Sequence, residues 1–188
     1  MLFGKRNAVG VDIGSNSIKI CALDESARGL SLKKFDVAPL PPQAIVEGAI
    51  MNFSQVQDKL KELVSVNKLK GRPAALSISG HSVIIKKISL PQMTEQELDA
   101  SIMWEAEQYI PFDIKEVNVD VQILDPQAGQ GQMDVLLVAA KKDVISDYVS
   151  IAMDAGLSPA VMDVDTFATQ NMFELNYGFH SNETIALI

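Results

Sequence analysis

One cysteine, one tryptophan and two histidines are all that the 188 residues supply of those types. The lone Cys21 excludes an intrachain disulfide framework and a multi-cysteine metal site, and it reads as a small buried apolar residue in a strand. His81 and His180 stand in polar turns with no Cys or carboxylate at ligand spacing, so no metal site is expected there. Positive charge is also scarce. Sixteen Lys and Arg face 24 Asp and Glu, a net charge of −8, which argues against nucleic acid as a partner. The longest clean apolar run is Val135–Ala140, far short of the ~20 residues of a membrane span. The charged start Met1–Asn7 is not followed by the apolar stretch of a secretory signal. A soluble, cytoplasmic protein is the expectation. Apolar residues at 47% suffice to bury the core of one domain or of two small subdomains.

Alternation is the clearest local signal. Val9, Val11 and Ile13 alternate with Gly10 and Asp12, and Ile18, Ile20 and Ala22 alternate with Lys19 and Cys21. Phe35 and Val37 lie in a third run, Leu30–Ala38. Gly14–Ser17 links the first two runs and Asp24 begins the second link, so a three-stranded antiparallel meander is predicted, stopped by Pro39, Pro41 and Pro42. Asn52 caps a helix over Phe53–Lys68 with Phe53, Val56, Leu60, Leu63 and Val64 on one stripe. A strand over Ala74–Ser79 enters the same sheet. Strands are predicted over Ser82–Leu90, Glu116–Leu124 and Met133–Ala140, the last two joined by a turn from Asp125. A capping box, Thr94 with Glu97, starts a helix that runs to Tyr109. Asp143 caps a helix ending at Gly156, Pro159–Val164 is a strand, Asp165 caps a helix to Tyr177, and Thr184–Ile188 opens one more strand. A chain that halts there has the look of a fragment.

The order βββ-α-β, later α-β-α, implies a ribonuclease-H-like α/β layer: a mixed sheet with helices on both faces. A β-α-β-β unit inserted within it forms a small separate α+β body.

Asp12-Ile-Gly-Ser-Asn-Ser-Ile-Lys19 carries the most chemistry. Gly14 permits backbone angles other residues resist, successive turn N–H groups form an anion concavity, and Ser15, Ser17 and Lys19 offer hydroxyls and a charge for a phosphate. Asp12 would hold Mg²⁺ through water. Alone, the same residues also fit a plain glycine turn beside an exposed lysine.

Together with the meander and the following α-β, this stretch resembles the phosphate-1 loop of the actin-like ATPase superfamily. Within it, Val-Gly-Val-Asp-Ile-Gly-Ser-Asn-Ser-Ile-Lys is most similar to the PilM family of type IV pilus assembly. So is Trp104-Glu-Ala-Glu-Gln-Tyr-Ile-Pro-Phe112 with its preceding Ile-Ser-Leu-Pro-Gln-Met-Thr-Glu-Gln-Glu-Leu. The resemblance implies an actin-like subdomain 1A (residues 1–81 and 158–188) with an inserted subdomain 1C (82–157), the Asp143–Gly156 helix being assignable to either, and the second actin lobe being absent. It implies a cytoplasmic scaffold at the inner face of the inner membrane. Such a scaffold takes the short cytoplasmic tail of a PilN-like partner in a groove between 1A and 1C, and self-association is a further possibility. It also implies half of a site for ATP with Mg, on Asp12, Gly14, Ser15, Asn16, Ser17 and Lys19, weak or empty without the second lobe. No residue stands out as one that activates water or a hydroxyl, so turnover is not expected. An actin-like ATPase or filament-forming protein (FtsA-like) and a GspL-like cytoplasmic domain of type II secretion are the alternatives.

Val83, Ile84, Ile85 and Trp104 are the expected partner contacts, by their position in 1C. With Leu98 at zero on a helical wheel, Ile102 and Ala106 fall near about 40° and 80° and Trp104 near about 240°. Trp104 therefore either meets another layer, most plausibly the neighbouring subdomain, or anchors a partner. Asp163-x-Asp165 fits a divalent-cation pair, although capping by Asp165 is the better explanation, and in a full actin-like cleft the region would face the nucleotide.

Overall fold

The computed structural model describes residues 8–27, 29–178 and 182–187. The chain divides into two units, Met1–Ser79 with Tyr148–Ile188, and Gly80–Asp147.

In the first unit, β1 (Val9–Ile13), β2 (Ser17–Ser26) and β3 (Gly29–Pro39) form the meander, and β6 (Pro73–Ile78) and β10 (Ser158–Val164) complete a sheet of order β10-β6-β1-β2-β3. β1, β6 and β10 run parallel, and β1-β2-β3 antiparallel. The alternation decides the faces. Val9, Val11, Ile13, Ile18, Ile20, Ala22, Ala74, Leu76 and Ile78 are buried on one side. There α1 (Phe53–Val66) lays down Val56, Leu60, Leu63 and Val64. Each fully buried aliphatic side chain contributes ~2 kcal/mol. Asn67, just past α1, donates to Asp36 on β3 at 2.7 Å and ties helix to sheet. Phe53 is exposed rather than part of the stripe.

Several expected boundaries move. The β2–β3 ladder runs on to Ser26 opposite Gly29, because Asp24 pairs with Lys33 across the strands at 2.7 Å instead of opening a turn. A short hairpin, β4 (Ile45–Val46) and β5 (Ala49–Ile50), turns at Glu47 and Gly48, both at positive φ. Two positive-φ residues make a tight turn whose twist suits a hairpin. Residues 184–187 are exposed and pair with no strand among the described residues, and Ile188 lies outside them. Alternation confers strand propensity, but a ladder also needs a neighbour to bond.

In the second unit, β7 (Val83–Pro91), β8 (Val117–Gly129) and β9 (Gln132–Lys141) form a sheet of order β7-β9-β8. α2 (Glu95–Glu107) covers one face through Leu98, Ile102 and Ala106, against Ile88, Leu90, Met133, Val135, Leu137 and Ala139. The Thr94–Glu97 capping box forms in both directions. The Asp125–Gly131 link is mostly strand, with the turn confined to Gln130 and Gly131 at positive φ. Pro126 is tolerated because β8 is an edge.

α3 (Lys142–Asp154) crosses from the second unit to the first. The division falls between Asp147 and Tyr148, within the helix that the sequence leaves assignable to either body, and Tyr148, Ile151 and Ala152 on its second half are buried. Asp143 lies inside this helix and accepts from the adjacent Val144 N–H. α4 (Asp165–Tyr177) runs beside β10 and β6.

Candidate functional site

Since Val9, Val11 and Ile13 are buried, Gly10 and Asp12 point to the sheet's other face, and so do Lys19 and Cys21 on β2. Asp12 stands directly opposite Lys19 in the antiparallel register. Side chains opposed in this way are neighbours. Lys19 Nζ donates to Asp12 Oδ2 at 2.7 Å, both about half exposed.

The turn between them departs from expectation in two respects. Gly14 has no positive φ, and its N–H donates to Ser17 O at 3.1 Å, so this amide closes the hairpin instead of facing an anion. What glycine provides is room. A Cβ there would lie 3.4 Å from Ser17 O, 3.6 Å from Lys19 Nζ and 4.0 Å from Asp12 Oδ1, so it would fill the space over the ion pair. Ser15 and Asn16 are exposed and Ser17 half-buried. Asn16 O accepts from Leu40 N–H at 2.9 Å.

Parallel pairing brings distant residues to the same place. β6 supplies Ser77, β10 supplies Val161 and Asp163, and α4 supplies Asp165, Thr169 and Met172. With Asp12, Lys19, Cys21 and Phe35 they line a cleft of about 750 Å³. Asp12, Ser77 and Asp163 sit near the carboxyl ends of three parallel strands, where open α/β sheets bind ligands. Cys21 is half-buried on this face rather than in the core. Asp165 is not the cap of α4. Val164 holds that position without a side-chain bond, and Asp165 accepts from the adjacent Thr166 N–H at 2.7 Å. Its carboxylate lines the cleft instead. Asp163 likewise accepts from Val164 N–H at 2.7 Å.

The cleft thus carries three carboxylates, one ammonium and two hydroxyls over an apolar floor. Asp12's charge reaches further. Tyr148, buried at the start of the first unit's second segment, has its phenol pushed above the ordinary range by burial first and by Asp12 second. Its hydroxyl donates to Gly48 O at 3.0 Å. Among the described residues no group of three or more His, Cys, Asp or Glu is placed to hold a metal directly. This donor set fits a hydrated cation held between water and a ligand's phosphates. His81 is exposed in a 3-10 turn, Gly80–Ser82, and His180 lies outside the described residues.

From residue 10 to residue 187 the sequence matches the family described as type IV pilus assembly protein PilM. The chain belongs to the PilM family. Among solved structures, a chain of the PilM–PilN type IV pilus biogenesis complex superposes with a TM-score of 0.78 at 31% identity, over 90% of this chain and 51% of that one. The chain therefore spans about half the length of that PilM-family structure. A second match is the cytoplasmic domain of EpsL, an inner membrane component of the type II secretion system of Vibrio cholerae. It has a TM-score of 0.57 at 13% identity, over 85% of this chain and 58% of that one, a likeness of fold alone. The expected mixed α/β architecture is the one observed, and it is consistent with an actin-like fold.

The four expected partner residues separate. β7 is an edge strand whose other side bonds β9. Ile84 packs on the second unit's core, whereas Val83 and Ile85, one residue away on either side, point to the opposite sheet face. Trp104 is 67% exposed on the side of α2 that faces away from the sheet, and its own unit leaves it uncovered. Trp104 and Ile85 thus occupy opposite outer surfaces of the second unit. Ser77, Thr169 and Phe35 carried no local motif. Ser77 stands near the end of a strand and Thr169 near the start of a helix, and Phe35 has only its place in the run Leu30–Ala38.

Proposed function

We propose that this PilM-family chain is a cytoplasmic scaffold at the inner face of the inner membrane that captures the short tail of a PilN-like partner and carries half of an ATP site. The observation that carries the nucleotide part is the Asp12–Lys19 pair under a roomy Gly14, at the carboxyl ends of parallel strands. Lys19 would take a phosphate oxygen, Ser15 and Ser17 would donate hydroxyls, and Asp12 would hold hydrated Mg²⁺. Bound Mg²⁺ would neutralise phosphate charge in a cleft where carboxylates outnumber ammonium groups. The role is binding rather than turnover.

For the partner, support comes from the β7 edge, whose outer N–H and C=O groups accept an added strand, with Ile85 and Val83 meeting its alternate side chains. The test is calorimetric titration with the N-terminal cytoplasmic peptide of a PilN-like protein, with and without Mg-ATP. Ile85→Asp should abolish binding and Trp104→Ala leave it unchanged. The reverse pattern would move the site to α2. No binding by a folded chain well above micromolar peptide would refute the scaffold reading.

A further inference from the structure

The chain passes between its units twice, at Ser79–Gly80 and at Asp147–Tyr148. One short element touches the first-unit side of both. Gly48, at the tip of the β4–β5 hairpin, accepts from the Tyr148 hydroxyl at 3.0 Å. The same glycine lies against Ser79. A Cβ on Gly48 would sit 2.9 Å from Ser79 O, and φ is +82°, so glycine is required twice over. The hairpin itself is anchored: Ala44, Ile45 and Ile50 are buried, and Ala44 O accepts from both Met51 and Asn52 N–H. Upstream, Ala44 N–H donates to Pro41 O, and Leu40 N–H donates to Asn16 O in the Asp12–Lys19 turn.

We infer that the β4–β5 hairpin is a clamp that fastens both crossings to fixed points on the first unit and joins them, through Leu40 and Asn16, to the turn of the cleft. The contacts are contiguous and all lie within the first unit. A change at the turn therefore has a packed route to both crossings, and the effect is reciprocal. The clamp stands independently of the nucleotide reading.

The test is amide hydrogen exchange on the whole chain, read by peptide, for Tyr148→Phe. This removes one hydroxyl and leaves Gly48 O without its donor. Exchange in 40–52, 76–82 and 145–152 should quicken about three- to tenfold, the span of one net hydrogen bond, while β8–β9 and β2–β3 hold their rates. Gly48→Ala perturbs the other crossing first and should quicken the same three segments. Quickening confined to 145–152, an even rise over the whole chain, or no change would each overturn the clamp.

Discussion

Replacing Lys19 by Met separates a structural ion pair from a ligand-binding one. Lys19 and Asp12 meet at 2.7 Å with side chains 44% and 53% exposed. At that exposure a pair contributes about 0–1 kcal/mol to folding. A charge-assisted bond from the same ammonium to a phosphate is worth about 1.5–3 kcal/mol, and half-exposure puts it at the low end, about tenfold in affinity. The chain supplies its own control. Lys33 and Asp24 meet at the same 2.7 Å with 48% and 51% exposure, away from the cleft lining. Lys19→Met and Lys33→Met should therefore shift the urea midpoint alike and slightly. Only Lys19→Met should weaken Mg-ATP binding by calorimetry, with a gap that narrows at high salt. A stability loss above about 2 kcal/mol for Lys19→Met would make the pair structural. Equal Mg-ATP affinity in both variants, or no Mg-ATP binding by the parent chain, would remove Lys19 from a phosphate role.

Thr94→Ala removes both hydroxyl bonds to Glu97, leaving the residue-94 backbone N–H still donating to that carboxylate, and should cost about 1 kcal/mol in urea unfolding; a loss below a few tenths would mean that the hydroxyl cap is idle. Leu137, fully buried, loses three carbons in Leu137→Ala, ~2.4 kcal/mol of transfer, and the cavity raises the cost to about 3–4 kcal/mol. Because its packing partners all belong to the second unit, hydrogen exchange should quicken in β7–β9 and not in β1, β2 or α1. Acid should destabilise the fold through Asp134, held low by Lys87 and then Ser89, through Asp36, held low by the Asn67 amide, and through Glu97, held low by the Thr94 N–H. Their folded pKa values lie below the unfolded ones, so this stability is complete above about pH 5 and is lost as pH falls through the folded values. Asp134→Asn should flatten part of that acid limb in a pH series of thermal midpoints, and an unchanged limb would count against the Lys87 contact.

Local chemistry was legible and distant pairing was not. Thr94 and Glu97 stand three residues apart, so their cap is written in the sequence, and alternation puts Asp12 and Lys19 on the polar face, while the short Gly14–Ser17 turn sets them opposite each other. The outward aim of Trp104 also followed from helical spacing alone. Asp165 misled because a carboxylate after a strand resembles a cap, yet Val164 takes that place and frees Asp165 for the cleft. Ser77, Asp163 and Thr169 join the site only because β6 lies between β1 and β10, a pairing no window of sequence reveals. The β4–β5 hairpin was invisible because two-residue strands have no period to detect.

The cleft's charge bears on what it can accept. Asp12, Asp163 and Asp165 face a single Lys19, and that lysine is already shared with Asp12. A bare polyphosphate entering there meets more repulsion than attraction, and the Gly14 amide is committed to Ser17 O. On the proposed reading, a nucleotide would therefore need a divalent cation to reverse the balance. The proposed partner surface has a different chemistry: an open strand edge with Val83, Ile85 and the Lys87–Asp134 pair on its outer face and its own core beneath.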